Sequence, residues 1–307
     1  GFAYESRRVD RVDVMQPWTQ DQAGGLRVPP HQRVFVEHER KVFFAKPDYW
    51  ILSDRLLGGG RHLAESLFHF QAAASAEIEG GSRSVRTVNG GAGLTILTSS
   101  ESKPKVRIVC GQEQPLQGWV PAGWGQHRPS PVAIYAFEGE LPLGVDTVLY
   151  PYPKDQAPAL RIERLEVTEN GHPVPAWLSS GLCLHIDDRR DYYLAAHEHR
   201  ALRSCGPLVS DAEIMLLRCD GDGEPVQLSL VNGSFVELAG RTIVAAEETF
   251  RSLEVAWEAG SLELLAQPPV GASVWAGDAG QLILDDGDPV AIQPVDGQVN
   301  LFENWLD

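Results

Sequence analysis

His197-Glu198-His199 carries two imidazoles two residues apart, which on a strand puts both on one face, a spacing zinc can use. A third ligand would have to come from Asp187, Asp188 or Asp191, and without one such a pair reads as ordinary surface residues. Asp220-Gly221-Asp222-Gly223-Glu224 looks like the opening of a calcium loop. It lacks the remaining ligands and the bidentate glutamate at the far end, so a hairpin turn is the better reading. No metal ligands and no cofactor are therefore assigned. Trp119, Trp124 and His127 lie in a segment rich in Gly and Pro, where aromatic faces can stack on sugar rings or plug the end of a sandwich. Packing is the simpler explanation, but these three remain the carbohydrate-contact candidates.

The other histidines of interest are His31, His38, His62 and His69. His69 sits between Phe68 and Phe70 and so points to the opposite sheet face from both. If the phenylalanines are core, His69 faces solvent or a docking domain, and a hydrogen bond to a neighbouring strand is the expected role. Arg40 and Asp54 are placed to pair across adjacent strands. Two basic clusters, Arg33, His38, Arg40, Lys41 and Lys103, Lys105, Arg107, read as solvated strand faces.

A formal charge of −16 over 307 residues argues against nucleic acid, which demands clustered Lys and Arg. It also disfavours a polyanionic glycan bound anywhere on the surface, unless a local basic patch overrides the average. The apolar runs, such as Ile214 to Leu217, are far too short to cross a bilayer, so no membrane partner is expected. No basic, apolar, small-residue leader opens the chain, so any export signal is expected to have been removed or never to have existed. Cys110, Cys183, Cys205 and Cys219 show no C-x-x-C spacing, which excludes zinc-finger and thioredoxin readings. The three later cysteines are compatible with one disulfide or with buried free thiols. There is no G-x-S-x-G elbow, H-E-x-x-H, P-loop or dinucleotide fingerprint. With 42 acidic residues, choosing two as a glycosidase pair would be arbitrary.

The elements that must position these residues are strands. Period-2 alternation recurs at Lys41–Ala45, Trp50–Asp54, Ser66–Phe70, Leu94–Thr98, Lys105–Val109 and Val132–Phe137, then from Leu160–Val167 through Gln298–Leu301. Hairpin signals stand at Asn170-Gly171, Asp220 to Gly223, Asn232-Gly233, Asp286-Gly287 and Asp296-Gly297. Arg61–Ala76 is rich in Ala and Leu, yet its glycine approach and His-Phe-Gln tail favour strand. The spacing predicts an all-β protein, a large multi-sheet antiparallel β-sandwich divisible into two packed β domains. The prolines of Tyr150 to Pro158 cannot sit in a central strand, which places a seam near residue 155, with domains 1–155 and 156–307.

Four pieces of sequence, in order over about 120 residues, resemble the C-terminal β-rich region of heparinase II/III-like polysaccharide lyases. The first is His38 to Phe70, two dense strand patterns around a short glycine turn. Within it, Asp48-Tyr49-Trp50-Ile51-Leu52-Ser53-Asp54 is similar to the family's "ywvvvD" strand, with Asp54 ending it before Gly58-Gly59-Gly60. Gly118-Trp119-Val120-Pro121, followed by Trp124-Gly125 and Pro129-Ser130-Pro131, resembles a later Gly-Trp segment, and Thr147-Val148-Leu149-Tyr150-Pro151 resembles the strand after it. The resemblance covers roughly residues 30 to 155.

That resemblance implies β-elimination of uronate-containing polysaccharides by a parent protein that is periplasmic or secreted. Elimination needs a group that neutralises the uronate carboxylate, a Tyr or His that takes the C5 proton and an acid for the departing oxygen. In the family much of that machinery lies on an N-terminal α/α-toroid domain, the partner expected here alongside an acidic polysaccharide. None of its signatures is matched, so the chain is expected to support the cleft without turning substrate over alone. Tyr49, Tyr135 and Tyr150 are formally able to act as elimination bases, but each lies in a predicted strand where core packing is the default. The alternative is an autonomous carbohydrate-binding module.

Overall fold

The computed structural model describes residues 2–14, 19–20, 26–27, 34–79, 84–198, 200–265, 271–285 and 287–301. Among the described residues every regular element is a strand, so the all-β expectation holds, including the strand at Arg61–His69. The chain divides into two compact units. One is Tyr4–Phe43 with Trp50–Pro151; the other is Gly1–Ala3, Phe44–Tyr49 and Tyr152–Asp307.

The first unit is a sandwich. Its larger sheet runs, in spatial order, Phe2–Val14, Val34–Ala45, Tyr49–Leu57, Leu143–Pro153, Ala92–Ser100, Val85–Asn89 and Ser75–Ile78. Its smaller sheet places Val132–Glu140 between Lys105–Val109 and Arg61–His69, both antiparallel to it. Val85, Ile96, Ala133, Tyr135, Phe137 and Val145 form the shared core, with Phe68, Phe70, Val106 and Ile108 packed against it. Arg61–His69 alternates strictly between exposed and half-buried, as a strand with one face on a core must. Phe68 meets Tyr135 edge-on at 5.8 Å, and His69 is exposed.

On the other face of the larger sheet, buried polar side chains stand beside the fully buried Ile51 and Val148. Arg55 donates to Glu39 Oε2 through Nη2 at 2.8 Å, with both residues buried, and Ser53 donates to the fully buried Asp146 at 2.7 Å. Lys41 is also buried, at 3% exposure. Within the first basic cluster, Lys41 is therefore not on the solvated face its composition suggested, whereas His38 and Arg40 are half-buried. Arg33 and His31 lie outside the described residues.

The second unit is one large sheet bent upon itself. Pro225–Leu238 and Arg241–Glu258 run antiparallel for most of their lengths. The first half of Pro225–Leu238 pairs with Ile214–Cys219, and its second half with Leu208–Ser210. The bend falls at Asn232 to Phe235, where the register shifts. Asn232-Gly233, expected to be a turn, is thus a bulge inside a continuous strand. Asn232 has φ 47° there, and a Cβ on Gly233 would sit 2.8 Å from Leu230 Cδ1 and 3.0 Å from Ala212. Asp211 secures the bend: its carboxylate accepts Ser234 N at 2.7 Å, Phe235 N at 2.9 Å and Ser234 Oγ at 2.7 Å.

The remaining turns divide clearly. Asn170-Gly171 and Asp296-Gly297 have positive φ at both residues and close two-residue hairpins, as expected. Ala239-Gly240, which carries no strong turn signal, does the same between Leu238 and Arg241. Asp286 lies outside the described residues. Among the described residues of the second unit, pairing is antiparallel except for Ser261–Leu265 against Gln281–Leu284, which is parallel. The strand Leu143–Pro153 runs through Pro151, a residue expected to interrupt it. Its register with Tyr49–Leu57 covers only Leu143 to Leu149, so both prolines fall beyond that ladder.

Candidate functional site

Trp119, Trp124 and His127 are brought together on one projecting hairpin of the first unit. Trp119–Gly123 pairs with Gln126–Pro129, and a two-residue loop, Trp124-Gly125, joins them. A lone two-stranded ribbon is marginal in water, so its base must be fixed by other means. Gly118 does this through its backbone: its carbonyl accepts both Gly111 N and Ser130 N at 2.9 Å. It has φ 77°, and a Cβ would approach Cys110 Cα at 2.9 Å and Ser130 O at 3.0 Å. Only glycine fits, which is the physical content of the Gly-Trp pair.

Trp119 is half-buried and donates Nε1–H to Gln112 O at 2.9 Å. Its ring meets His127 edge-on, 4.8 Å between centroids and 84° between planes. Trp119 therefore packs the ribbon, which is the simpler of its two readings. Trp124 is fully exposed at the tip. An indole held in water on a braced ribbon is disfavoured by the hydrophobic effect, and a sugar face would remove that cost.

A second cluster lies on the Val34–Ala45 and Tyr49–Leu57 strands. Arg40 donates Nε and Nη2 to the two Asp54 oxygens at 2.6 and 2.8 Å, and His38 Nε2 donates to Oδ1 at 2.7 Å. Burial alone would raise the Asp54 pKa, but the His38 and Arg40 hydrogen bonds hold it below the ordinary carboxylate value. Asp54 is consumed by this clamp, so it orders two strands and does not serve as a free acid. His62 donates to Gly59 O at 2.9 Å, bracing the glycine turn.

The tyrosines are equally committed. Tyr49 donates to Asp191 Oδ2 at 2.6 Å, and its pKa is pushed well up by burial and by the Asp191 charge. Tyr135 donates to Ile96 O at 3.1 Å, and burial raises its pKa too. Neither phenol is poised to accept a proton. Tyr150 is half-buried.

His197 follows the end of the Arg189–Ala196 strand and is buried, and His199 lies outside the described residues. Among the described residues no group of three His, Cys, Asp or Glu is placed to hold a metal ion. Asp187 accepts Ala159 N, while Asp191 is enclosed by Tyr49, Arg189 and Arg218. Asp220 Oδ1 accepts Asp222 N at 3.0 Å and Glu224 N at 2.9 Å, so that carboxylate builds the hairpin turn expected of it.

The chain is similar to solved structures of heparan sulfate lyases. Against HepC from Pedobacter heparinus the identity is 18%, the TM-score 0.43, and the match covers 53% of this chain and 25% of that one. A mutant of the same lyase gives 15% identity and a TM-score of 0.44, covering 64% and 29%. A heparinase III gives 11% identity and a TM-score of 0.42, covering 53% and 24%. The chain thus spans about a quarter of the length of these structures. No protein-family profile matches the chain, and no curated protein does.

Sequence reasoning missed an open groove of the first unit. Arg61, Lys105 and Arg107 are brought to one face of the smaller sheet, with Glu65 and Glu138 beside them. Alternation alone shows that Lys105 and Arg107 share a face. It does not show that Arg61, more than 40 positions earlier, joins them.

Proposed function

We propose that this chain is the β-rich, cleft-supporting portion of a heparinase II/III-like polysaccharide lyase, binding uronate-containing glycan and not turning it over alone. The observation that carries the reading is Trp124, a fully exposed indole at the tip of a ribbon whose base is fixed by Gly118 and Trp119. The four ordered sequence pieces support it, and two of them now have a local structural reason. Asp54 does not end its strand, which continues to Leu57, but it clamps Arg40 and His38 from within it, and Gly118 is the crossing point of the ribbon. The supporting role follows from the phenols: Tyr49 and Tyr135 are buried donors with raised pKa values, unsuited to taking the C5 proton. The partner in this reading is an α/α-toroid of the same parent protein, in a periplasmic or secreted setting.

The exposed indole equally favours a second reading, an autonomous carbohydrate-binding module. Electrophoresis of the intact chain through gels holding a uronate polymer or a neutral polymer tests the binding common to both. Retardation by the uronate polymer, weakened several-fold in Trp124→Ala, is expected. Equal mobility in all gels rejects glycan binding. Retardation by the neutral polymer alone favours the module and rejects the lyase reading.

A further inference from the structure

The outer face of the smaller sheet carries an open groove of about 590 Å³, a volume typical of small-ligand sites. Register assembles it. Lys105 lies opposite Ala136, which lies opposite Glu65; Arg107 lies opposite Ile134; Glu138 lies opposite Leu63, two residues along the strand from Arg61. Three cationic side chains therefore stand among three carboxylates, Glu65, Glu138 and the Glu140 opposite Arg61, so this face is balanced in charge in a protein whose net charge is −16. That local relief from the overall negative charge lowers the repulsion a carboxylate-bearing ligand would meet elsewhere on the surface.

The cations are loosely held. Arg61 directs both Nε and Nη2 at one Glu138 oxygen, at 3.2 Å each, and Arg107 Nη2 stands 3.3 Å from Glu65 Oε1. Exposed pairs of this length contribute little to stability, so exchanging a glutamate for a ligand carboxylate costs little. Lys105 is exposed and has no ion pair among the described residues. Leu63, 62% exposed, gives the groove an apolar lining residue among these charges. An apolar residue flanked by charged donors and acceptors suits a sugar ring, with its C–H face on Leu63 and its polar groups at the rim.

We propose that this groove binds a uronate residue. Arg107 and Lys105, two apart on one strand, receive its carboxylate, Arg107 through the paired N–H geometry a guanidinium offers. Glu65, released by Arg107, and Glu138 accept ring hydroxyls. The inference rests on the uronate-binding reading above but assigns the contact to side chains other than Trp124.

The test is affinity electrophoresis of the full chain with polygalacturonate, which carries carboxylates only, beside dextran sulfate and neutral pullulan. Combined Arg61→Ala, Lys105→Ala and Arg107→Ala should weaken polygalacturonate retention at least tenfold without shifting the thermal midpoint, since all three side chains are exposed. Combined Glu65→Gln and Glu138→Gln should strengthen it two- to fivefold, because the cations are released and ligand repulsion falls. A merely structural role for the glutamates would not produce that gain, and this pair of substitutions carries the test if the alanine variant does not fold. Unchanged retention in both variants, tighter retention by dextran sulfate than by polygalacturonate, or no retention of the parent chain would overturn the proposal. Loss of retention in Trp124→Ala alone, with the groove variants unaffected, leaves the hairpin reading standing and removes the groove. Loss confined to the groove variants does the reverse.

Discussion

Arg40 holds both oxygens of Asp54, with Nε at 2.6 Å and Nη2 at 2.8 Å, and His38 adds a third donor to the same buried carboxylate. The pKa of Asp54 is held below its unfolded value, so its stabilisation is fully present above about pH 5 and is lost as the pH falls through the folded pKa. Asp54→Asn should cost about 1–2 kcal/mol at neutral pH, a figure reduced because Arg40 is 40% exposed on its side chain. Urea titrations from pH 7 to about pH 2 should show the gap between parent and variant narrowing with acid. A gap that stays constant would mean the clamp is not ionic.

The Phe44–Tyr49 turn is tied into the second unit by a buried network. Arg218 donates to Asp191 Oδ2 at 3.2 Å, to Gln227 Oε1 at 2.8 Å, and to the carbonyls of Ala45 and Lys46 at 3.2 and 3.3 Å. Arg218→Ala strips a buried carboxylate of one partner and should cost about 3–5 kcal/mol. Tyr49→Phe removes one hydrogen bond to the same oxygen and should cost about 1–3 kcal/mol. Denaturant midpoints of the two single variants and the double variant should reveal coupling, because both act on Asp191. Strict additivity would contradict the shared site.

At Gly181 two parts of the bent sheet approach closely. A Cβ there would lie 2.4 Å from Cys205 Sγ and 2.8 Å from Val167 Cγ2. Gly181→Ala should destabilise the protein by about 2 kcal/mol or more. Cys205→Ala in the same chain should restore part of that loss, since it removes the nearest atom. Thermal unfolding of the four-protein set reads the result directly.

All four cysteines are free thiols. Burial pushes Cys183 up to about 11 and Cys205 and Cys219 up to about 12, whereas Cys110 is exposed. A neutral-pH thiol reagent should therefore titrate one cysteine quickly in the native chain and four after denaturation. Fast modification of two or more native thiols would show that the second unit opens.

The legible parts of this chain are those governed by local rules. Asn170-Gly171 closes a hairpin because both residues accept positive φ and the flanking strands alternate, whereas Asn232-Gly233 uses the same freedom to bulge a strand that Asp211 bends from outside. No local rule separates the two cases. The Arg40–Asp54 pair could be read from the spacing of two strands around a short turn. The Arg218–Asp191–Tyr49 network could not, because its members meet only after the chain has folded. The tryptophan hairpin was visible as a Gly/Pro-rich aromatic segment, but only the structure separates a packed Trp119 from an exposed Trp124. The groove was hidden because it depends on the order of three strands, with Val132–Glu140 in the middle.

We propose that this chain binds uronate glycan as a support and leaves the elimination step to residues of other domains. The measurement that tests it most directly is the ultraviolet absorbance of unsaturated uronate when the intact chain is mixed with uronate polysaccharides at concentrations that give retention in gels. A flat trace at every chain concentration is the result expected. A steady rise proportional to chain concentration would contradict it.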